Sequence, residues 1–268
     1  MKLTKESKVL VVIYVLTSLF WFYFLVISGH NVHGLGYYFQ IPLAIIPLVG
    51  GIFGIKNAQK WGGFKSVMGK SVMALSLGVF TWGIGMIFWN YYIFIERIEV
   101  PYPSLADAFF ILSWPLWSYG MFELSRATGA KFGLRDKDGK LLLLLIPVFV
   151  AVISYYLLFV IARGGEFDTS SGGLKFFFDL FYPIGDIVIL SVTALVYSLS
   201  RKFLGGKYKP VIIILFIGFV LNYITDFTFS YTTTVETYFN GHYVDFMFAT
   251  TMSILSLAMS QFNPEMKD

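Results

Sequence analysis

Cysteine is absent from these 268 residues. That excludes disulfides, thiol nucleophiles and thiolate metal sites. Charge is scarce as well: 13% of residues are Asp, Glu, Lys or Arg, against about 25% in soluble domains. So little charge excludes a soluble globular domain. Histidine occurs only three times, which leaves little material for metal or acid–base chemistry. The glycine-bearing stretch GGIFGIKNAQK lacks the Walker pattern and follows no strand, so no nucleotide-binding fingerprint is present. The basic start MKLTKESK precedes an apolar run too long for a signal peptide and without a small-residue cleavage site, which reads as a retained first span.

What remains is apolar. Hydrophobic residues make up 57% of the chain and the mean hydropathy is +0.71. Runs of about 20 such residues read as membrane-spanning helices. Eight are expected, near 9–28, 36–55, 71–95, 105–125, 141–162, 180–200, 210–231 and 243–262. The fold class is therefore an all-α membrane protein in a single domain, 1–268, with 1–130 and 131–268 as its halves.

The charges that do occur are unevenly placed. Segments 1–8, 56–70, 123–140, 201–209 and the tail after 262 carry 17 of the 20 Lys and Arg. The alternate loops hold only Arg97, Arg163 and Lys175. Because basic loops stay cytoplasmic, both termini are expected inside, in the plasma membrane. This distribution, not the net charge of +4, is informative, and nucleic acid is not an expected partner.

A hairpin recurs along the chain. PYPSLADAFFILS (101–113), LFYPIGDIVILSV (180–192) and FNGHYVDFMFATT (239–251) each place an aspartate, Asp107, Asp186 or Asp245, just ahead of an apolar run. GLGYYFQIPLAII offers Gln40 in that place. Four such hairpins would build the eight helices as parallel repeats. Two readings of the acids follow. Ser104 with Asp107 three residues on is a capping-box pattern, and an acid there meets the positive end of the helix dipole. Pro183 and Gly185, or Asn240 and Gly241, suit the same helix-start role. Alternatively, three acids converging on one face form an acidic vestibule on the extracytoplasmic side.

Asp226, in VLNYITDFTFSY, has no helix start to explain it. An acid inside a span must be protonated, paired or hydrated, and normally faces the bundle interior. Asn222 lies one turn earlier on the same face. Helix three or eight is the expected neighbour, through an interhelical hydrogen bond to a residue such as Asn90, Tyr91 or Tyr92. Helix three, GIGMIFWNYY, brings Gly83 and Gly85 for close packing, then Trp89, Asn90 and Tyr92. These aromatics fit an interfacial belt. Yet aromatics form 19% of the chain, enough to line a cavity for a lipid, quinone or other apolar ligand. Pro42, Pro47, Pro115 and Pro147 mark kinks within spans. His30, His33 and His242 fall in loops at glycine-rich, non-helical spacing, which does not favour a zinc site.

The run GIGMIFWNYY followed by VPYPSLADAFFILSWPLWSYGM resembles the membrane input region that precedes GGDEF and EAL domains in bacterial diguanylate cyclases and phosphodiesterases. Those regions also carry a Tyr–Pro–x–Gly–Asp, here Tyr182 to Asp186, and an acid opening the last hairpin, here Asp245. The resemblance spans roughly 80–255. It implies an integral membrane sensor without catalysis by the helices. No cyclase, kinase or PAS domain follows within these residues, so output through a separate cytoplasmic or membrane partner is expected. The candidate ligand-binding residues are Asp107, Asp186, Asp226, Asp245, Trp89, Asn90, Tyr92, Asn222 and Gln40, and the ligand a lipid or a small apolar or cationic molecule. A cation- or proton-coupled transporter and a lipid-modifying enzyme are the other classes open at this point.

Overall fold

The computed structural model describes residues 3–28, 35–130, 135, 137–165, 172–200 and 209–265. Among them are eight long α-helices and no strand. They are α1 (Lys5–Ser28), α2 (Gln40–Lys60), α3 (Val67–Tyr91), α4 (Leu105–Ala127), α5 (Lys137–Ser154), α6 (Gly173–Ser200), α7 (Lys209–Thr234) and α8 (Tyr243–Gln261). A 3₁₀ turn, Leu35–Phe39, leads into α2, and π-helical turns extend α3 over Tyr92–Glu96 and α5 over Tyr155–Ile161.

Seven of these helices are long and apolar enough to cross a membrane, the pattern of a multi-pass membrane protein. The exception is α4. Its 23 residues would span about 34 Å at 1.5 Å each, but Asp107, Glu123, Arg126 and several serines dilute its apolar character. It packs chiefly on α3 and α6 and leaves Leu105, Leu112, Tyr119 and Phe122 exposed. Helices α1 and α5 expose Leu16, Leu19, Val26, Leu144, Phe149 and Val152, an apolar outer surface suited to lipid rather than water.

Small residues set the closest approaches, as is usual where no hydrophobic effect drives helices together. A Cβ at Gly50 of α2 would fall 2.0 Å from Ser256 Oγ of α8, and one at Gly54 would fall 2.1 Å from Ser76 Oγ of α3. Gly83 and Gly85 do the same for α3 against Leu48 and Phe110. Helix α2 is thereby wedged between α3 and α8, and a core of Leu43, Ile46, Leu75, Trp82, Met252 and Leu255 closes around it.

The two ends of the bundle differ. At one, the N- and C-terminal helices are tied together. Ser7 Oγ pairs with Ser260 Oγ at 2.7 Å, Gln261 Nε2 donates to Ser7 Oγ at 2.7 Å, and Asn57 Nδ2 donates to the Met259 and Ser260 carbonyls. Trp61 Nε1 donates to the Phe262 carbonyl at 2.8 Å. The first turn of α1 and the last turn of α8 thus lie at this end. The other end carries the first turns of α4 and α8, with Asp107 and Asp245, and is the acidic end below.

One boundary departs from expectation. Pro183 and Gly185 read as a helix start, but α6 begins ten residues earlier, at Gly173, and runs through Pro183. The aromatic run FFFDLFY supplies apolar surface well before the proline, and neighbouring helices satisfy the backbone groups that a proline frees inside a membrane bundle. Asp186 is therefore the fourteenth residue of α6 and caps nothing. Of the three acids aligned as a repeat, only Asp107 and Asp245 share the helix-start position.

Candidate functional site

Asp107 sits where the capping-box pattern puts it. Ser104 is the N-cap of α4, and its backbone N–H and hydroxyl donate to Asp107 Oδ2 at 2.7 and 2.9 Å. The other oxygen is used tertiarily: Tyr182 of α6 donates its hydroxyl to Oδ1 at 2.7 Å. Asp107→Ala should therefore lower thermal stability by about 1–2 kcal/mol, the usual worth of a lost cap. Asp107→Asn retains an acceptor and should lose less than half of that; equal losses in the two variants would show that the charge, not the cap, stabilises the helix start.

One turn beyond Tyr182 on the same face of α6, Asp186 is 2% exposed and accepts from Trp114 Nε1 of α4 at 3.1 Å. The Trp114 ring meets Tyr182 edge-on at 5.2 Å. Across the helix interface the side chains of Asp186 and Asp226 face each other closely enough to interact electrostatically. Asp226 also accepts from Asn222 Nδ2 at 2.5 Å, so the two residues expected on one face of α7 are in contact there. The partner helix differs from expectation: Asp226 turns toward α6, not toward helix three or eight. The α8 contact of this turn is made by Thr225, whose hydroxyl pairs with Thr251 at 3.3 Å. Asp226 is half-buried while Asn222 is 1% exposed, and Asn222 Oδ1 has no hydrogen-bond partner.

A second polar cluster forms at the acidic end around Asp245, in the first turn of α8. Gln40 Nε2 donates to Oδ2 at 2.6 Å, the Gly241 N–H to Oδ2 at 2.6 Å, and the Tyr238 hydroxyl to Oδ1 at 2.9 Å. Tyr238 lies between α7 and α8. Burial first, then the Asp245 carboxylate beside it, push its hydroxyl well above the ordinary tyrosine range, so it remains a donor. Asn90 Nδ2 reaches the Gln40 carbonyl at 3.0 Å, and Trp89 Nε1 reaches Asn240 Oδ1 at 3.0 Å. Gln40, noted because it replaces an acid at the start of its hairpin, proves to be the partner of one.

The sequence-predicted residues thus fall into two groups. Asp107, Asp186, Asp226 and Asn222 join through α4, α6 and α7; Asp245, Gln40, Asn90 and Trp89 join through α2, α3 and α8. Among the described residues no hydrogen bond connects the two groups. Tyr92 belongs to neither: its ring stacks edge-on against Tyr91 in the π-turn. A crevice of about 410 Å³ opens nearby between Tyr37, Tyr38, Phe94, Arg97 and Glu99, and none of the four aspartates lines it.

Trp114 and Tyr238 are residues that sequence reasoning missed, and Tyr182 was noted only as part of the Tyr–Pro–x–Gly–Asp run. Each is an aromatic with a polar tip, and a buried Trp or Tyr needs a partner for that tip; the signal was a count of buried acids with too few cationic neighbours. Also missed was Glu123, 3% exposed near the far end of α4 and paired with Arg126 at 2.9 Å. His242 is the N-cap of α8, while His30 and His33 lie outside the described residues. Among the described residues no three His, Cys, Asp or Glu side chains cluster as metal ligands. Compared with protein-family models, curated proteins and solved structures, the chain matches none of them.

Proposed function

We propose that the chain is a non-catalytic, multi-pass membrane module that binds a ligand between its helices and passes a change in helix packing to a separate partner. The meeting of Asp186 and Asp226 carries this reading. Buried acids inside a span are expensive and are retained for function more often than for stability, and neither of these two caps a helix. The resemblance to the membrane input region of GGDEF and EAL proteins points the same way, with the ligand a lipid or a small apolar or cationic molecule. The termini end supports binding without passage, because Asn57, Trp61 and the Ser7–Ser260–Gln261 network hold α1, α2 and α8 together there.

The test uses the full chain in lipid vesicles. Hydrogen exchange across 180–193 and 218–230 is followed against alkylammonium, quinone and phospholipid probes, alongside dyes for pH and sodium gradients. Protection by one probe class with gradients held supports the module. A collapsing gradient would replace it with the second reading, a cation- or proton-coupled transporter, which the same carboxyl pair favours.

Orientation belongs to this proposal. The 17-to-3 division of Lys and Arg favours both termini in the cytoplasm and the acidic end outside. Reporter fusions after 65, 132 and 205 should read cytoplasmic, and those near 100, 168 and 237 external. One reversed neighbouring pair would break the eight-span arrangement, and α4 is where a break would show first.

A further inference from the structure

We propose that the crevice between the start of α2 and the π-turn after α3 holds the headgroup of a zwitterionic phospholipid, its phosphate on Arg97 and its ammonium on Glu99. None of the four aspartates lines this crevice. It is therefore a second site, independent of the carboxyl groups that carry the module reading.

Its place in the fold sets its depth. The apolar span that contains α2 begins at Leu35, and the one that contains α3 ends at Glu96. Tyr37 and Tyr38 stand in the first turn of one span, Phe94 in the last turn of the other, and Arg97 and Glu99 just beyond it. The crevice thus straddles the level at which hydrocarbon gives way to headgroups, where tyrosines are at home. Ile93 and Ile98 add apolar lining, and Tyr38 and Ile98 are exposed, which gives the chains of a lipid a surface to lie along while its head is inside.

Charge identifies the head. Arg97 and Glu99 are both exposed, and among the described residues no hydrogen bond or ion pair engages either side chain. Arg163, which the charge division sets on the same side, is instead held by Asp179 at 3.4 Å. Arg97 is a fork of donors with nothing to hold, and a phosphate takes such a fork with two parallel bonds. Two residues on, Glu99 offers acceptor oxygens only. Opposite charges that share a crevice without joining each other leave space for a ligand that is itself dipolar. Tyr38 and Phe94 meet beside them with ring centroids 5.6 Å apart, and the faces of such rings attract an ammonium.

The backbone fixes where the cation stands. Arg97 ends the π-turn with φ 58°, a left-handed conformation that few residues other than glycine adopt, and the Ile98 N–H closes the turn on the Tyr92 carbonyl at 3.1 Å. Such positions and π-turns both concentrate at functional sites. The crevice, about 410 Å³, is of the size that takes small ligands, so it admits a headgroup and leaves the acyl chains outside. A glycerol head has no cation for Glu99, and a choline head has no N–H to donate to it. Ethanolamine brings both the charge and the donors.

The experiment titrates the full chain in detergent with phosphatidylethanolamine, phosphatidylcholine or phosphatidylglycerol of one acyl composition, and counts bound lipid by native mass spectrometry. Hydrogen exchange in nanodiscs of the same lipids is read in parallel. One phosphatidylethanolamine per chain is expected to bind about fivefold tighter than the other two, the scale of one partly exposed charged contact. Protection should fall on 92–100 and not on 180–193 or 218–230, so this site and that of the module reading are read separately. Arg97→Gln should weaken phosphatidylethanolamine about fivefold, Glu99→Gln should erase its advantage over phosphatidylglycerol, and the exposed-acid control Glu236→Gln should change neither. If a variant fails to fold, the ranking of the three lipids on the wild-type chain decides alone. Equal binding of the three, or a preference for either of the others, overturns the proposal, as does a preference that survives both Arg97→Gln and Glu99→Gln. Free glycerophosphoethanolamine, added without lipid, separates the sources of this chemistry. Protection of 92–100 by it alone would make the ligand a solute and overturn the lipid site.

Discussion

Asp245→Ala should be among the most destabilising single changes in this protein, lowering unfolding free energy by about 3–5 kcal/mol. The carboxylate accepts from Gln40, Tyr238 and the Gly241 N–H, and it is 2% exposed. Its removal strands three donors in a place that water does not readily reach, and each unsatisfied buried donor costs about 1–3 kcal/mol. Coupled partners are not additive, which keeps the total below the sum. The three donors belong to α2, to the α7–α8 connection and to the turn before α8, so their loss loosens the acidic end as a unit. Asp245→Asn keeps an acceptor for two donors and turns its own N–H groups on the third, for a loss of about 1–2 kcal/mol. Thermal unfolding in detergent, followed by near-ultraviolet circular dichroism, reads the difference. If Ala and Asn unfold together at the wild-type temperature, the cluster contributes no stability and its polar groups are hydrated.

What could be read in the sequence was local. The eight helices follow from hydropathy runs, the Ser104–Asp107 cap from a three-residue spacing, and the Asn222–Asp226 contact from one helical turn. What could not be read was tertiary. Tyr182 and Asp107 are 75 positions apart and Gln40 and Asp245 are 205 apart, and no period or propensity records such pairings. Asp186 shows how a local signal misleads. Tyr–Pro–x–Gly–Asp has the composition of a helix start, and Pro is at home in a first turn. But α6 is long enough to carry a proline in its middle, and what decides this is the packing of α4 against it. The chosen neighbour of Asp226 failed for the same reason: helix order in space, with α6 lying between α4 and α7, is a property of packing. Tyr92 was chosen for its type, and type alone does not say which way a side chain in a π-turn points.

The second large effect is expected at Gly50. A Cβ there would lie 2.0 Å from Ser256 Oγ, 2.2 Å from its Cβ and 2.9 Å from its Cα. The first two contacts belong to a side chain that cannot swing clear, and the third to backbone. Gly50→Ala must therefore part α2 from α8 by about an ångström or more, at about 3 kcal/mol. Gly50→Leu forces a wider separation and should prevent accumulation of folded protein, since α2 is held on its other side by Gly54 against Ser76. The cause can be isolated by a second substitution. Ser256→Ala removes the hydroxyl but leaves the Cβ, so it should not rescue Gly50→Ala. Ser256→Gly removes both and should recover more than half of the loss, even after the roughly 1 kcal/mol that a glycine costs inside a helix. Melting temperatures of the three single and two double variants in one detergent, against wild type, give the coupling energies. Rescue by Ser256→Ala alone would place the clash at the hydroxyl, and rescue by neither would mean that α2 and α8 do not meet at Gly50.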